Sequence, residues 1–298
     1  MPIERRRFLS TLVSAAALAN VEKAAAALPP PVPGFPIGRC VRVLGVTAPE
    51  DAQTVGFEYV ELALQDLLPL SDDEFGKLVA RIRALRIPAI SGYGFMPPDL
   101  SITGPEVDWA LVEQHLARGL ARAAQFPLQM VVYGNLNTRS RRAPEGFPPA
   151  EAQKQLIEFG RRAARAAKKH SITVLFEPMP ARSTNTINTV KEGLDLVRAV
   201  GDDHFQMLAD YSFMAQGGED MAILHSAAPH IKQVEISNPN GRVYPRTADE
   251  ADYASFFRAL KKGGYRGGFS IHGAPTDFFV DAPRAIALLR GLAAEHLA

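Results

Sequence analysis

Eight short runs of β-branched and apolar residues, each followed by a longer stretch of helical period, set the rhythm of this chain. The strand-like runs fall at 40–46 (CVRVLGV), 57–63 (FEYVELA), 88–93 (IPAISG), 129–134 (QMVVYG), 172–177 (ITVLFE), 205–210 (FQMLAD), 231–237 (IKQVEIS) and 267–272 (GGFSIH). Helical periodicity is clearest at 71–86, 107–125, 149–169, 188–200, 219–227 and 249–263, with a short helix near 49–54 and a closing one at 281–296. The boundaries carry chemical marks. Ser71-Asp72-Asp73-Glu74 fits a capping box, Asp108 opens the run containing Trp109, and Gly201 and Gly263-Gly264 stand where helices should stop. Strands alternating with helices build a parallel sheet, and eight such steps over about 260 residues match a (β/α)8 TIM barrel. A doubly wound open sheet fits less well, because no G-x-G-x-x-G follows the first strand.

The rhythm is preceded by a segment of different character. Glu4-Arg5-Arg6-Arg7-Phe8-Leu9-Ser10 reads as a twin-arginine export signal, and the apolar run from Phe8 to Ala19 is too short to span a bilayer stably. Residues 1–27 are therefore expected to be a signal peptide and 28–37, with five prolines between Leu28 and Pro36, an extended linker. The barrel follows at 38–298. This places the protein in the periplasm or outside the cell, with the twin-arginine export machinery as a partner and no membrane segment in the mature form. A net charge of +1 argues against a nucleic-acid binder working by phosphate neutralisation. Cys40 is the sole cysteine, so the chain can form no internal disulfide and no zinc-thiolate cage.

Catalytic groups of such barrels sit at the C-terminal ends of the strands. That rule selects Glu61, Glu177, Asp210, Glu235 and His272. Any one of them has an ordinary reading: Asp210 as a helix cap, His272 as a packed histidine, Glu61 as a brace. The coincidence of the last four, at the ends of the adjacent strands five to eight, is what counts. Three carboxylates aimed into one pocket raise one another's pKa unless a cation sits among them, so the pattern points to a divalent metal.

At these residues the chain resembles the xylose-isomerase-like TIM-barrel superfamily of sugar isomerases and epimerases. "VLFEPMP" resembles its fifth strand, "QMLADYSFM" the sixth, "PHIKQVEISNPNGRVYP" the seventh and "LKKGGYRGGFSIHG" the eighth. The resemblance implies a metal site on strands five to eight with the pattern Glu, Asp, His, Glu. Here the order is Glu177, Asp210, Glu235, His272, so the last two residue types have traded places while the donor inventory is unchanged. Phe213 stands where the family often has histidine.

The resemblance implies a metal-dependent isomerase or epimerase acting on a sugar, keto-sugar or polyol through an enediolate. Glu177 is then a catalytic base, and His272 or Glu235 the second acid/base. A lyase or dehydratase using the same site, and a silent sugar- or partner-binding barrel, stay open as alternatives. The donor set suits Mn2+, Mg2+ or Co2+, and Zn2+ also fits. Arg242, Glu61, Tyr133, Asn135 and Tyr93 are the expected substrate contacts. The basic stretch "NTRSRRAPEGFPP" reads either as a lid over the pocket or as a contact between copies in a homo-oligomer.

Overall fold

The computed structural model describes residue 21 and residues 23–43, 48–134 and 140–298. Eight parallel strands close into one barrel in chain order: β1 (Ile37–Val41), β2 (Tyr59–Ala63), β3 (Ala89–Tyr93), β4 (Met130–Tyr133), β5 (Thr173–Phe176), β6 (Phe205–Asp210), β7 (Ile231–Ile236) and β8 (Phe269–Ile271). The TIM-barrel expectation holds. The twin-arginine stretch and Asn135 lie outside the described residues. Among those described, no helix is long and apolar enough to cross a membrane.

Helix ends follow their local chemistry. Ser71 accepts from the amide of Glu74 while Glu74 accepts from that of Ser71, and Asp108 accepts from the amide of Leu111. Gly201 ends the helix Val190–Val200 at φ 68°. The 219–227 expectation resolves into a 3-10 turn, Met221–Ile223, and a short helix, Leu224–Ala227. One short helix, Tyr211–Gln216, starts directly from the last residue of β6 and has no counterpart in the periodicity.

β1 requires a correction. The β-branched run suggested 40–46, but the strand is Ile37–Val41. Gly38 pairs with Tyr59, whose ring crosses so close that a Cβ at 38 would lie 2.3 Å from it. Arg42 turns out of the strand to meet Asp66 at 2.6 and 2.8 Å. The stretch expected to be linker is docked: Val32 and Phe35 are buried, and the buried Arg290 donates to the carbonyl of Pro29 at 2.7 Å.

Two cores result. The larger fills the space between sheet and helices, while Val132, Leu175 and Leu208 form a separate cluster inside the barrel wall of β4–β6. Side chains alternate along a strand, so with Val132 facing the lumen its neighbour Tyr133 faces the helices. Across the lumen the lining is polar: Cys40, Glu61, Ser91, Glu235 and Ser270 are all buried. Bulky branched residues are the usual filling of such barrels, so a lumen half built of donors and acceptors marks the site.

Candidate active site

Four strand ends deliver the ionisable groups. Glu177 follows β5, Asp210 closes β6, Glu235 is the penultimate residue of β7, and His272 follows β8. The ligand atoms of Glu177, Asp210 and Glu235 lie within 4.8 Å of one another. His272 joins through Glu235: its Nδ1 is hydrogen-bonded to Glu235 Oε2. The imidazole therefore belongs to the acids rather than to packing, and it forms a second three-residue group with Glu235 and Cys40.

Local geometry explains how each group is held. Glu177 reaches inward over Gly134, where a Cβ would lie 1.5 Å from Glu177 Oε2. Gly134→Ala is thus expected to displace the carboxylate and lower kcat at least about tenfold with little change in the unfolding midpoint, measured by steady-state kinetics and urea titration. Asp210 is a helix cap and also the partner of an arginine. Its Oδ1 accepts from the amide of Phe213, capping the helix Tyr211–Gln216, and its Oδ2 lies 2.8 Å from Arg242 Nη2.

Arg242 is the cation of the cluster. It sits at φ 52°, an uncommon conformation for a residue with a side chain. The loop after β7 holds it there: Asn238 bonds Val243, and the carbonyl of Arg242 accepts from the amide of Ala274 at 2.9 Å. Gly273 permits that approach, since a Cβ there would fall 2.9 Å from the same carbonyl oxygen. The guanidinium lies over Phe213, 4.1 Å from the ring centre, so the aromatic at this position supports the arginine. Its second carboxylate is Glu235, at 3.5 Å. The ion pair with Asp210 uses Nη2, and Arg242 Nη1 has no hydrogen-bond partner among the described residues.

The electrostatics follow from burial. Desolvation, then Glu235 and Asp210, push Glu177 well above the usual carboxylate range. Desolvation and Asp210 raise Glu235 to about 8, and desolvation and Glu235 raise Glu61 to about 7. His272 is lowered by desolvation and by Arg242. Four carboxylates are buried here and Arg242 pairs with two of them, so burial and mutual repulsion penalise full ionisation of the cluster unless a further cation joins it.

The remaining expected contacts divide. Tyr93 is near the site, its ring 5.1 Å from that of His272. Glu61 is fully buried and accepts from Ser91 Oγ at 3.0 Å and from Cys40 Sγ at 3.6 Å. Tyr133 is corrected outright: it faces the helices against Phe159 and Phe176, with its hydroxyl tied to Ser140. Residues 140–143, part of the stretch read as a lid, are fastened to 184–186 by bonds from Thr184, Thr186 and Asn185.

Three functional candidates escaped the sequence reading. Gly134 and Cys40 are two. The third is Arg141, buried against Tyr133 and Phe176, whose charge is electrostatically coupled to Glu177.

A profile described as the xylose isomerase-like TIM barrel matches residues 49–287. The chain belongs to that family. No curated protein matches it. Solved family-like barrels superimpose over most of their length. D-psicose 3-epimerase with D-tagatose from Clostridium cellulolyticum H10 is 15% identical with a TM-score of 0.72, covering 88% of this chain and 99% of its own. 3-Keto-D-glucoside 4-epimerase from E. coli is 17% identical with a TM-score of 0.68, covering 87% and 99%. The IOLI protein with a binding zinc atom is 15% identical with a TM-score of 0.64, covering 88% and 98%. At these identities the likeness is one of fold. Against the family pattern, the traded pair Glu235 and His272 are hydrogen-bonded neighbours on adjacent strands.

Proposed function

We propose that this barrel is a divalent-metal-dependent isomerase or epimerase that removes a proton beside the carbonyl of a keto-sugar or related polyol. The observation carrying the reading is the convergence of Glu177, Asp210 and Glu235, with His272 bound to Glu235. The excess of buried carboxylates over the arginine paired with them fits a cation-binding role. Glu177, Asp210, Glu235 and His272 would hold the metal. When bound, it supplies the charge that stabilises an enediolate.

The chain's own groups account for the proton. Glu177, reaching inward over Gly134 beside Asp210 and Glu235, is positioned as the proton acceptor. Glu235 fixes Nδ1 of His272 and leaves Nε2 as the nitrogen that would meet the metal. Arg242 steadies Asp210 and Glu235 and offers its remaining donors to a substrate oxygen. Tyr93 closes the wall beside His272. The twin-arginine segment extends the proposal to an exported enzyme acting in the periplasm or outside the cell.

Arg242 also favours a competing reading. A guanidinium already 2.8 Å from Asp210 is what a metal-free, silent sugar-binding barrel would contain. Solvent deuterium uptake separates the two. With Mn2+ or Co2+ the enzyme is expected to wash deuterium into one carbon of a keto-sugar, and chelation to abolish it. Absence of exchange across a keto-sugar panel, with metal stoichiometrically bound, would exclude proton-transfer chemistry.

A further inference from the structure

The metal reading above leaves one donor unassigned. Cys40 lies at the end of β1, beside β8, and its Sγ is 3.8 Å from Glu235 Oε1 and 3.6 Å from Glu61 Oε1. Buried free cysteines ordinarily serve as small apolar fillers. Here the contacts are carboxylates inside the polar half of the lumen, so apolar filling does not account for the position.

We propose that Cys40 is a metal ligand, forming with Glu235 and His272 a sulfur–oxygen–nitrogen position that selects Zn2+ or Co2+ over Mg2+ and Mn2+. The ligand atoms of these residues lie within 4.8 Å of one another, on the adjacent strands β7, β8 and β1. The oxygen-only group, Glu177, Asp210 and Glu235, shares Glu235 with it. That oxygen group already has a cation in Arg242, which stands closer to Asp210 (2.8 Å) than to Glu235 (3.5 Å). The mixed group meets the arginine through Glu235, at the longer of the two distances. Thiolate and imidazole donors suit zinc and cobalt, whereas magnesium and manganese prefer oxygen alone. On binding, the thiol proton passes to solvent and the sulfur lone pair bonds the ion, so no oxidant or reductant is needed. This inference rests on metal binding at the site but not on the reaction catalysed there.

Because the chain has one cysteine, any sulfur signature reports Cys40 alone. Co2+ added to chelator-treated full-length protein is expected to give a near-ultraviolet thiolate-to-cobalt charge-transfer band saturating at one equivalent. Cys40→Ser should lose the band and bind Zn2+ at least about tenfold more weakly. Its Mn2+ affinity should stay within about twofold of wild type. Glu177→Gln should keep the band, since Glu177 is outside the mixed group. A cobalt adduct of the wild type without the band, Zn2+ affinity unchanged in Cys40→Ser, or no Co2+ binding at all would overturn the assignment. Deuterium exchange with Mn2+ but no sulfur band sinks this inference and leaves the proposed reaction standing. A sulfur band without exchange on any sugar does the reverse.

Discussion

Replacing Glu177 with glutamine is expected to lower deuterium exchange by about 10³-fold, with KM changed by less than about threefold. Glutamine keeps the length that fits over Gly134 and removes the charge that accepts a proton and helps to hold the metal. Glu177→Asp keeps the charge but withdraws it by a methylene, and a misplacement of that size should cost about 10²-fold. Glu61→Gln is the contrasting case. Glu61 stands behind Cys40 and Ser91, so kcat should respond far less than to the change at 177. Loss of metal could imitate loss of the base, so bound Co2+ must be measured in each variant by its visible absorption. A Glu177→Gln protein that holds metal and keeps more than about a tenth of wild-type kcat would remove Glu177 from the role of proton acceptor.

The barrel was legible because its elements are local: eight strand-like runs, capped helices and glycine stops each follow from a few adjacent residues. The acids at 177, 210 and 235 were legible for a related reason. Strand ends are the one place where a barrel's topology turns sequence position into spatial convergence. Cys40 was missed through an error of register. With the first strand placed at 40–46 it stood at the beginning, far from any site; at Ile37–Val41 the same strand-end rule selects it. Tyr133 failed on parity, since only the lumen packing of Val132 shows which face of β4 turns inward. Gly134 by close approach and Arg141 by charge act on Glu177 more than thirty residues away, and nothing in their own neighbourhoods reports that. The exchange of residue types at 235 and 272 was visible as a pattern, but the hydrogen bond that makes them a unit belongs to β7 and β8 lying side by side.

Chelator-treated protein is expected to lose stability as pH rises from about 5 to about 8, and added metal to restore it most at the upper end. Glu61 and Glu235 rise from 4.5 to about 7 and about 8, and Glu177 rises well above 4.5, all three led by desolvation. Between the unfolded and folded values the native state holds protons that the unfolded chain has released. Stability conferred this way is complete below the unfolded pKa and is lost as pH climbs through the folded ones. His272 works in the opposite direction: its folded value is lowered, so it favours the native state as pH rises, but it is one group against three. Glu219, raised to about 7 by its own burial near Val190, adds a share of the decline that no metal at the barrel mouth can remove. A divalent cation competes with the protons on the lumen carboxylates, so its stabilising effect grows as those protons become costly to keep. Melting curves at pH 5 and 8 with and without Zn2+ should therefore show a larger metal-induced rise in Tm at pH 8, and Glu235→Gln should flatten the pH dependence of the metal-free protein. A metal-free Tm that is level or increasing over this interval would mean that these acids are not held protonated by burial, and the electrostatic case for a cation among them would fail with it.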